Sequence, residues 1–388
     1  MLVPVPALRR ALLVGLAALS SGALGASAVD DARDGQDGRD GEPLQERDAE
    51  PELESLAPPH DYPREVVERT LAKGLAWLAE QEGPSADGSW PVPTGTGARA
   101  APVAVSALSG LALMAGGHLP GRGPFGARVE RGLDYVLSRA IVEASDARHG
   151  FIGGDGLSRM HGHGFATLML AQGYAMSPSS ELGARLRTVL EGAVHLIERT
   201  QGAEGGWMYE PRLEPEHEGS VTICLVSALR AARDAGVLVE AETIARAEDY
   251  VRRSQADDGL FRYTLGSDKK TLALTAAGVA TLAATGAYDD PALTRGVDAI
   301  VRELAKGGAH LGAGEFPHYE RFYLALALGG LPDQALFEAW FADELMQLVA
   351  SQNEDGSWDD SPFGSSYATA INCLVLALPD GILPIYQR

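Results

Sequence analysis

Four segments of the chain carry one pattern: a helix that ends in glutamine, a glycine turn, then a large aromatic residue. They are QEGPSADGSW from Gln81, QGAEGGW from Gln201, QADDGLF from Gln255 and QNEDGSW from Gln352. Trp90, Trp207, Phe261 and Trp358 hold the aromatic position. A repeat of this kind constrains the fold more than any single motif. Each unit is too small to bury its own apolar face and must stack on its neighbours.

The residues before each glutamine are apolar at i, i+3 and i+4, which predicts amphipathic helices. VVERTLAKGLAWLAEQ, LRTVLEGAVHLIERTQ, TIARAEDYVRRSQ and FEAWFADELMQLVASQ all follow it. A second helix of different character follows each turn. SVTICLVSALRAARDAG, TLALTAAGVATLAATG and YATAINCLVLAL are apolar nearly all round and should be buried on most faces. Two further pairs lack the glutamine and aromatic but keep the alternation: ARVERGLDYVLSRA with HGFATLMLAQGYAM, and ALTRGVDAIVRELAKGG with HYERFYLALALGGL. Six amphipathic helices thus alternate with six apolar ones. The arrangement this predicts for residues 61–388 is all-α: an (α/α)6 toroid with an amphipathic outer ring and an apolar inner ring. Closure removes the exposed ends that an open array must cover with polar capping repeats, and the C-terminal segment carries no such cap.

The Gln…Asp-Gly-Ser-Trp segments resemble the QW repeats of squalene–hopene and other terpene cyclases, and the related repeats of protein prenyltransferase β-subunits. The resemblance runs from about Pro63 to Arg388. It implies the toroid, and it implies structural roles for Gln81, Trp90, Gln201, Trp207, Gln255, Phe261, Gln352 and Trp358. In that family the glutamine caps the neighbouring helix and the aromatic stacks on it. The family's chemistry does not carry over in its usual form. Such cyclases protonate their substrate from an Asp-x-Asp-Asp motif, a strong acid kept neutral by acidic neighbours. Residues 61–388 contain no such motif, and Asp257-Asp258 and Asp359-Asp360 read as turn residues. Prenyltransferases hold zinc partly through Asp-x-Cys, but Thr222 and Ile371 stand two residues before Cys224 and Cys373. The Gly-Cys-Gly-Glu-Gln motif of thioester domains, which share the fold, is absent too. Cys224 and Cys373 are expected as core residues on opposite sides of the ring, unbridged. We expect no cofactor and no resident metal.

The candidate site follows from the topology. Each apolar helix begins just after a turn, so in a toroid these N-termini emerge at one end of the ring. That end would collect His161, His163, Tyr209, His217, Glu218, Lys269, Lys270, His318, Tyr319, Glu320, Arg321, Tyr323 and Tyr367. Histidine and carboxylate gathered at a mouth can bind a ligand or move protons, and helix N-termini favour anions. The same residues can equally be ordinary caps, loops and packed rings. At the ring centre, small residues of the inner helices either leave an apolar cavity or let the helices close on it.

The formal charge of −21 argues against nucleic acid and against an anionic membrane face. Arg9 and Arg10, the apolar run Ala11 to Gly25, and Ala26-Ser27-Ala28 read as a secretory signal peptide over 1–28. Residues 29–60 are rich in Asp, Glu, Gly and Pro and read as a disordered acidic linker. The expected protein is exported, periplasmic or extracellular, with no membrane span after cleavage. Its expected role is binding, either of an apolar or isoprenoid-like molecule or of a protein partner. The alternatives are a diverged isoprenoid-modifying cyclase and, third, a polysaccharide-active toroid enzyme needing paired carboxylates in an aromatic groove.

Overall fold

The structure, a computed structural model, describes residues 62–381 apart from 97–98, 178, 287, 307–315 and 361. The segments read as signal peptide and acidic linker lie outside the described residues. Among the described residues there are twelve α-helices. The odd-numbered ones are α1 (Arg64–Glu80), α3 (Gly126–Ser138), α5 (Glu181–Thr200), α7 (Ala241–Arg253), α9 (Pro291–Ala305) and α11 (Ala335–Ser351). The even-numbered ones are α2 (Pro102–Ala115), α4 (Arg159–Met176), α6 (Gly219–Asp234), α8 (Leu272–Ala283), α10 (Pro317–Gly329) and α12 (Ser365–Ala377). No helix among the described residues is long and apolar enough to cross a membrane.

The even helices pack one on the next, and α12 returns to α2, so they form a closed inner ring. The odd helices pack around them. Burial follows the two sequence patterns. In α2 every residue from Val105 to Ala115 is buried. In α7 only Thr243, Ile244, Ala247, Tyr250 and Val251 are buried, which is one helical face.

The glutamine and aromatic residues form the junctions. Gln201 Nε2 donates to its own turn at Gly205 O and to the next outer helix at Thr243 O, both at 2.8 Å. Gln255 Nε2 does the same with Gly259 O at 3.1 Å and Ala292 O at 2.8 Å. Gln352 Nε2 reaches Gly356 O at 3.0 Å and Thr70 O of α1 at 2.9 Å, which closes the ring. Gln81 departs from this, since its Nε2 donates only within its own helix end, to Trp77 O at 3.2 Å. Arg128 of α3 takes over there. It donates to Gln81 O, Gly88 O and Ser89 O at 3.1, 2.9 and 2.9 Å and lies over the Trp90 ring.

Each aromatic is pinned at two points. The indole Nε1 of Trp90, Trp207 and Trp358 donates to Leu78 O, Ile197 O and Leu348 O at 2.8–3.0 Å. The backbone N–H of Trp90, Trp207, Phe261 and Trp358 donates to Ser106, Thr222, Thr275 and Thr369 of the inner helices at 3.0–3.1 Å. Glycine lets the turns approach so closely. Gly356 has φ +96°, and a Cβ there would stand 2.5 Å from Lys73 O of α1.

Candidate functional site

The N-terminal end of the inner ring holds the predicted residues, but in three separate roles. The first is structural. Glu218 is fully buried and caps α6, accepting from Ser220 N–H at 2.9 Å, Val221 N–H at 2.8 Å and Ser220 Oγ at 2.6 Å. Burial raises its carboxyl above the ordinary range, against those bonds. His217 is buried against Gly202 and Gly206, with its Nε2 on Glu214 O at 3.2 Å and its ring edge-on to Tyr250. His163 is enclosed, accepting from Ile152 N–H at Nδ1 (3.1 Å) and facing Ala193 O with Nε2 (3.4 Å). His161 turns instead to Ser158 Oγ at 2.5 Å, so the two histidines of the His-x-His pair have different partners. No group of three His, Cys, Asp or Glu side chains among the described residues could hold a metal ion. Lys270 is paired with Asp258 at 2.5 Å.

Burial depresses His163 to about 4, against roughly 6.5 in an unfolded chain. A neutral buried histidine stabilises the fold fully above about 6.5, and the contribution is lost as pH falls towards the folded value. His163→Gln is therefore expected to be less stable than the parent at pH 7, with the gap narrowing on the order of 3 kcal/mol towards pH 4. Urea midpoints across that range measure it, and a constant gap would mean that His163 is not held neutral.

The second role is a floor across the ring axis. His161 of α4 faces Phe165 and Tyr209, each at 6.4 Å between ring centroids. The Tyr209 and Tyr263 hydroxyls are hydrogen-bonded, and Lys269 Nζ lies 5.2 Å over the Tyr263 ring. Cys224 of α6 contacts His161 O at 3.8 Å. From α10, Tyr319 packs on Tyr323 at 4.6 Å. Burial raises the Tyr319 hydroxyl first, and the charges of Tyr323, Glu218 and Cys224 add to it.

The third role is a buried polar cluster between α10, α11 and α12. Arg321 binds Glu344 of α11 and donates to Asn372 Oδ1 at 3.0 Å, with His318 Nδ1 3.2 Å from the guanidinium. His318 Nε2 faces Asp359 O at 3.3 Å, and its ring sits edge-on to Tyr367. Glu320, next to them, is raised to about 7, chiefly by burial. Glu344 was missed by sequence reasoning because it lies on an outer helix, where a carboxylate reads as solvent-facing.

The inner ring is not filled. A partly open cavity of about 870 Å³ lies among the inner helices α4, α6, α8 and α10, within the range of small-molecule sites. Its inner wall includes Phe165, Leu168, Cys224, Phe322, Tyr323 and Leu326. Arg230, Arg233, Asp234, Tyr288 and Gln334 line it where the inner helices end. The lining thus runs from the aromatic floor towards the C-terminal ends of the inner helices. Of the predicted candidate residues only Tyr323 lines it. Arg230 was legible as a signal: it is a charge inside SVTICLVSALRAARDAG, the helix read as apolar.

No protein-family model and no curated protein matches the chain. Solved structures do. Type II terpene cyclase MstE from Scytonema aligns over 82% of this chain and 100% of its own, at 17% identity and TM-score 0.53. Cellobiose 2-epimerase from Bacillus thermoamylovorans aligns over 81% and 100%, at 11% identity and TM-score 0.58. A D-mannose isomerase aligns over 82% and 100%, at 14% identity and TM-score 0.58. The chain has the α/α-toroid fold. Within that class it is similar to a terpene cyclase and to sugar-converting enzymes alike, so the likeness defines architecture, and the site must define function.

Proposed function

We propose that the protein is an exported binding protein that holds an apolar small molecule among the inner helices. The observation that carries this is the cavity, with aromatic and aliphatic side chains at its depth and polar groups at one end. The nature of its walls favours binding over cyclase-type chemistry. An alkene-protonating reaction needs an acid inside the cavity. Among the described lining residues the one carboxylate is Asp234, which lies beside Arg233 at 3.5 Å.

Two measurements test the reading. Native mass spectrometry of the purified protein, repeated after denaturation, reports any molecule held in the ring. Nile red, a neutral apolar dye, then probes the empty cavity. The dye is expected to bind the parent protein and to lose at least about tenfold in affinity in Ala280→Trp, which fills the cavity from α8. Equal dye binding by both proteins would overturn the reading. Export predicts that protein recovered outside the cytoplasm begins at Val29. A chain retained inside and starting at Met1 would overturn that part.

A further inference from the structure

Arg230 differs from the other buried and half-buried arginines of the ring. Arg128 donates to three carbonyls, Arg321 meets Glu344, and Arg252 meets Asp290 at 2.7 Å. Arg230 makes no salt bridge and no hydrogen bond to the described residues, and its Nη1 is buried without a partner. Asp234, one turn further along α6, is half-exposed and lies 3.5 Å from Arg233, making no contact with Arg230. Burial, then the like charge of Arg233, pulls the Arg230 guanidinium below the ordinary arginine range, while the charges of Asp234, Glu248 and Tyr288 oppose this without contacting it. A largely desolvated cation without a partner destabilises a fold, and such groups persist where a ligand completes them. The guanidinium also lines the cavity described above.

We propose that the cavity takes a long-chain monoanion, a fatty-acid-like carboxylate whose chain lies against Phe165, Leu168 and Phe322 and whose head is received by Arg230. This rests on the cavity-binding reading and names its ligand class. The planar fork of a guanidinium matches a carboxylate with two parallel hydrogen bonds. One unpaired cation matches one negative charge. A diphosphate head would bring further charge beside Asp234, on a chain whose formal charge is already −21.

The test is displacement of Nile red from the purified protein by palmitate, by hexadecanol and by hexadecyl diphosphate. Palmitate is expected to displace the dye about ten to a hundred times more effectively than hexadecanol. Arg230→Met keeps the length of the side chain and removes the charge. It is expected to bring palmitate and hexadecanol within about threefold of each other. Its unliganded melting temperature should equal or exceed the parent's, because a partly desolvated cation with no ion-pair contact is gone. Arg233→Gln should retain the preference. Equal displacement by palmitate and hexadecanol in the parent protein overturns the head-group assignment, whether or not the variants fold. Preference for the diphosphate overturns the monoanion. Displacement by none of the three chains, hexadecanol included, counts against the cavity reading itself.

Discussion

Replacing Trp358 by alanine is expected to lower the unfolding free energy by about 3–5 kcal/mol. The side chain is 2% exposed and stands where the last turn meets the first helix. Its Nε1 donates to Leu348 O at 3.0 Å, and its backbone N–H donates to Thr369 at 3.0 Å. Its ring lies on Gly74 of α1, where a Cβ would stand 2.9 Å from Cζ3. Removing the ring loses its transfer free energy and leaves a cavity that helices tied on both sides cannot collapse into. It also strips the junction that joins the two ends of the ring, leaving Gln352 to hold it. Urea unfolding of Trp358→Ala beside Trp207→Ala measures both. A loss below about 1 kcal/mol for Trp358→Ala would show that the ring is not closed there in solution.

Replacing Glu344 by alanine is expected to cost a similar amount, about 3–5 kcal/mol, for an electrostatic reason. Glu344 is fully buried on an outer helix and faces Arg321 of α10. Burial raises its carboxyl, and the guanidinium opposes that shift. Without Glu344, Arg321 keeps only Asn372 and His318 as contacts, a neutral amide and an imidazole that burial and the guanidinium itself hold neutral, so no negative charge remains in contact with it. The pair is not therefore a large net stabiliser. Arg321→Met with Glu344→Leu should fall within about 1 kcal/mol of the parent or above it, since removing both partners avoids a stranded charge. The double-mutant cycle reads the coupling directly. A Glu344→Ala loss under about 1 kcal/mol would mean that Arg321 is not desolvated.

The junctions show how far local pattern reaches. Gln201, Gln255 and Gln352 act alike because the same spacing recurs, and recurrence is visible along the chain. The hydroxyls that receive the aromatic N–H groups were not visible. Ser106, Thr222, Thr275 and Thr369 follow their partners by 16, 15, 14 and 11 residues, so no fixed spacing marks them. The second junction carries neither glutamine nor aromatic. It keeps only the glycine of the pattern, Gly150 at φ +88° against Gly192 O, as Gly88, Gly205, Gly259 and Gly356 stand against outer-helix carbonyls at the other junctions. Arg128 reads as an exposed charge on an amphipathic helix, yet it does the joining work at Gln81.

The same division runs through the site. Helical period and composition were enough for the two rings, because a helix's buried face depends on residues three and four apart. They were also enough to bring His161, Tyr209, Glu218, Tyr319 and Tyr323 to one end, because turn length and direction alternate regularly. Where the cavity lies depends on side chains far apart in sequence. Tyr209 meets Tyr263, and Tyr319 of α10 feels Glu218 and Cys224 of α6. Those meetings exist only once the ring has closed. They floor the end where the predicted residues gather, and they leave the space beside Arg230, a charge whose meaning lies in the partner it lacks.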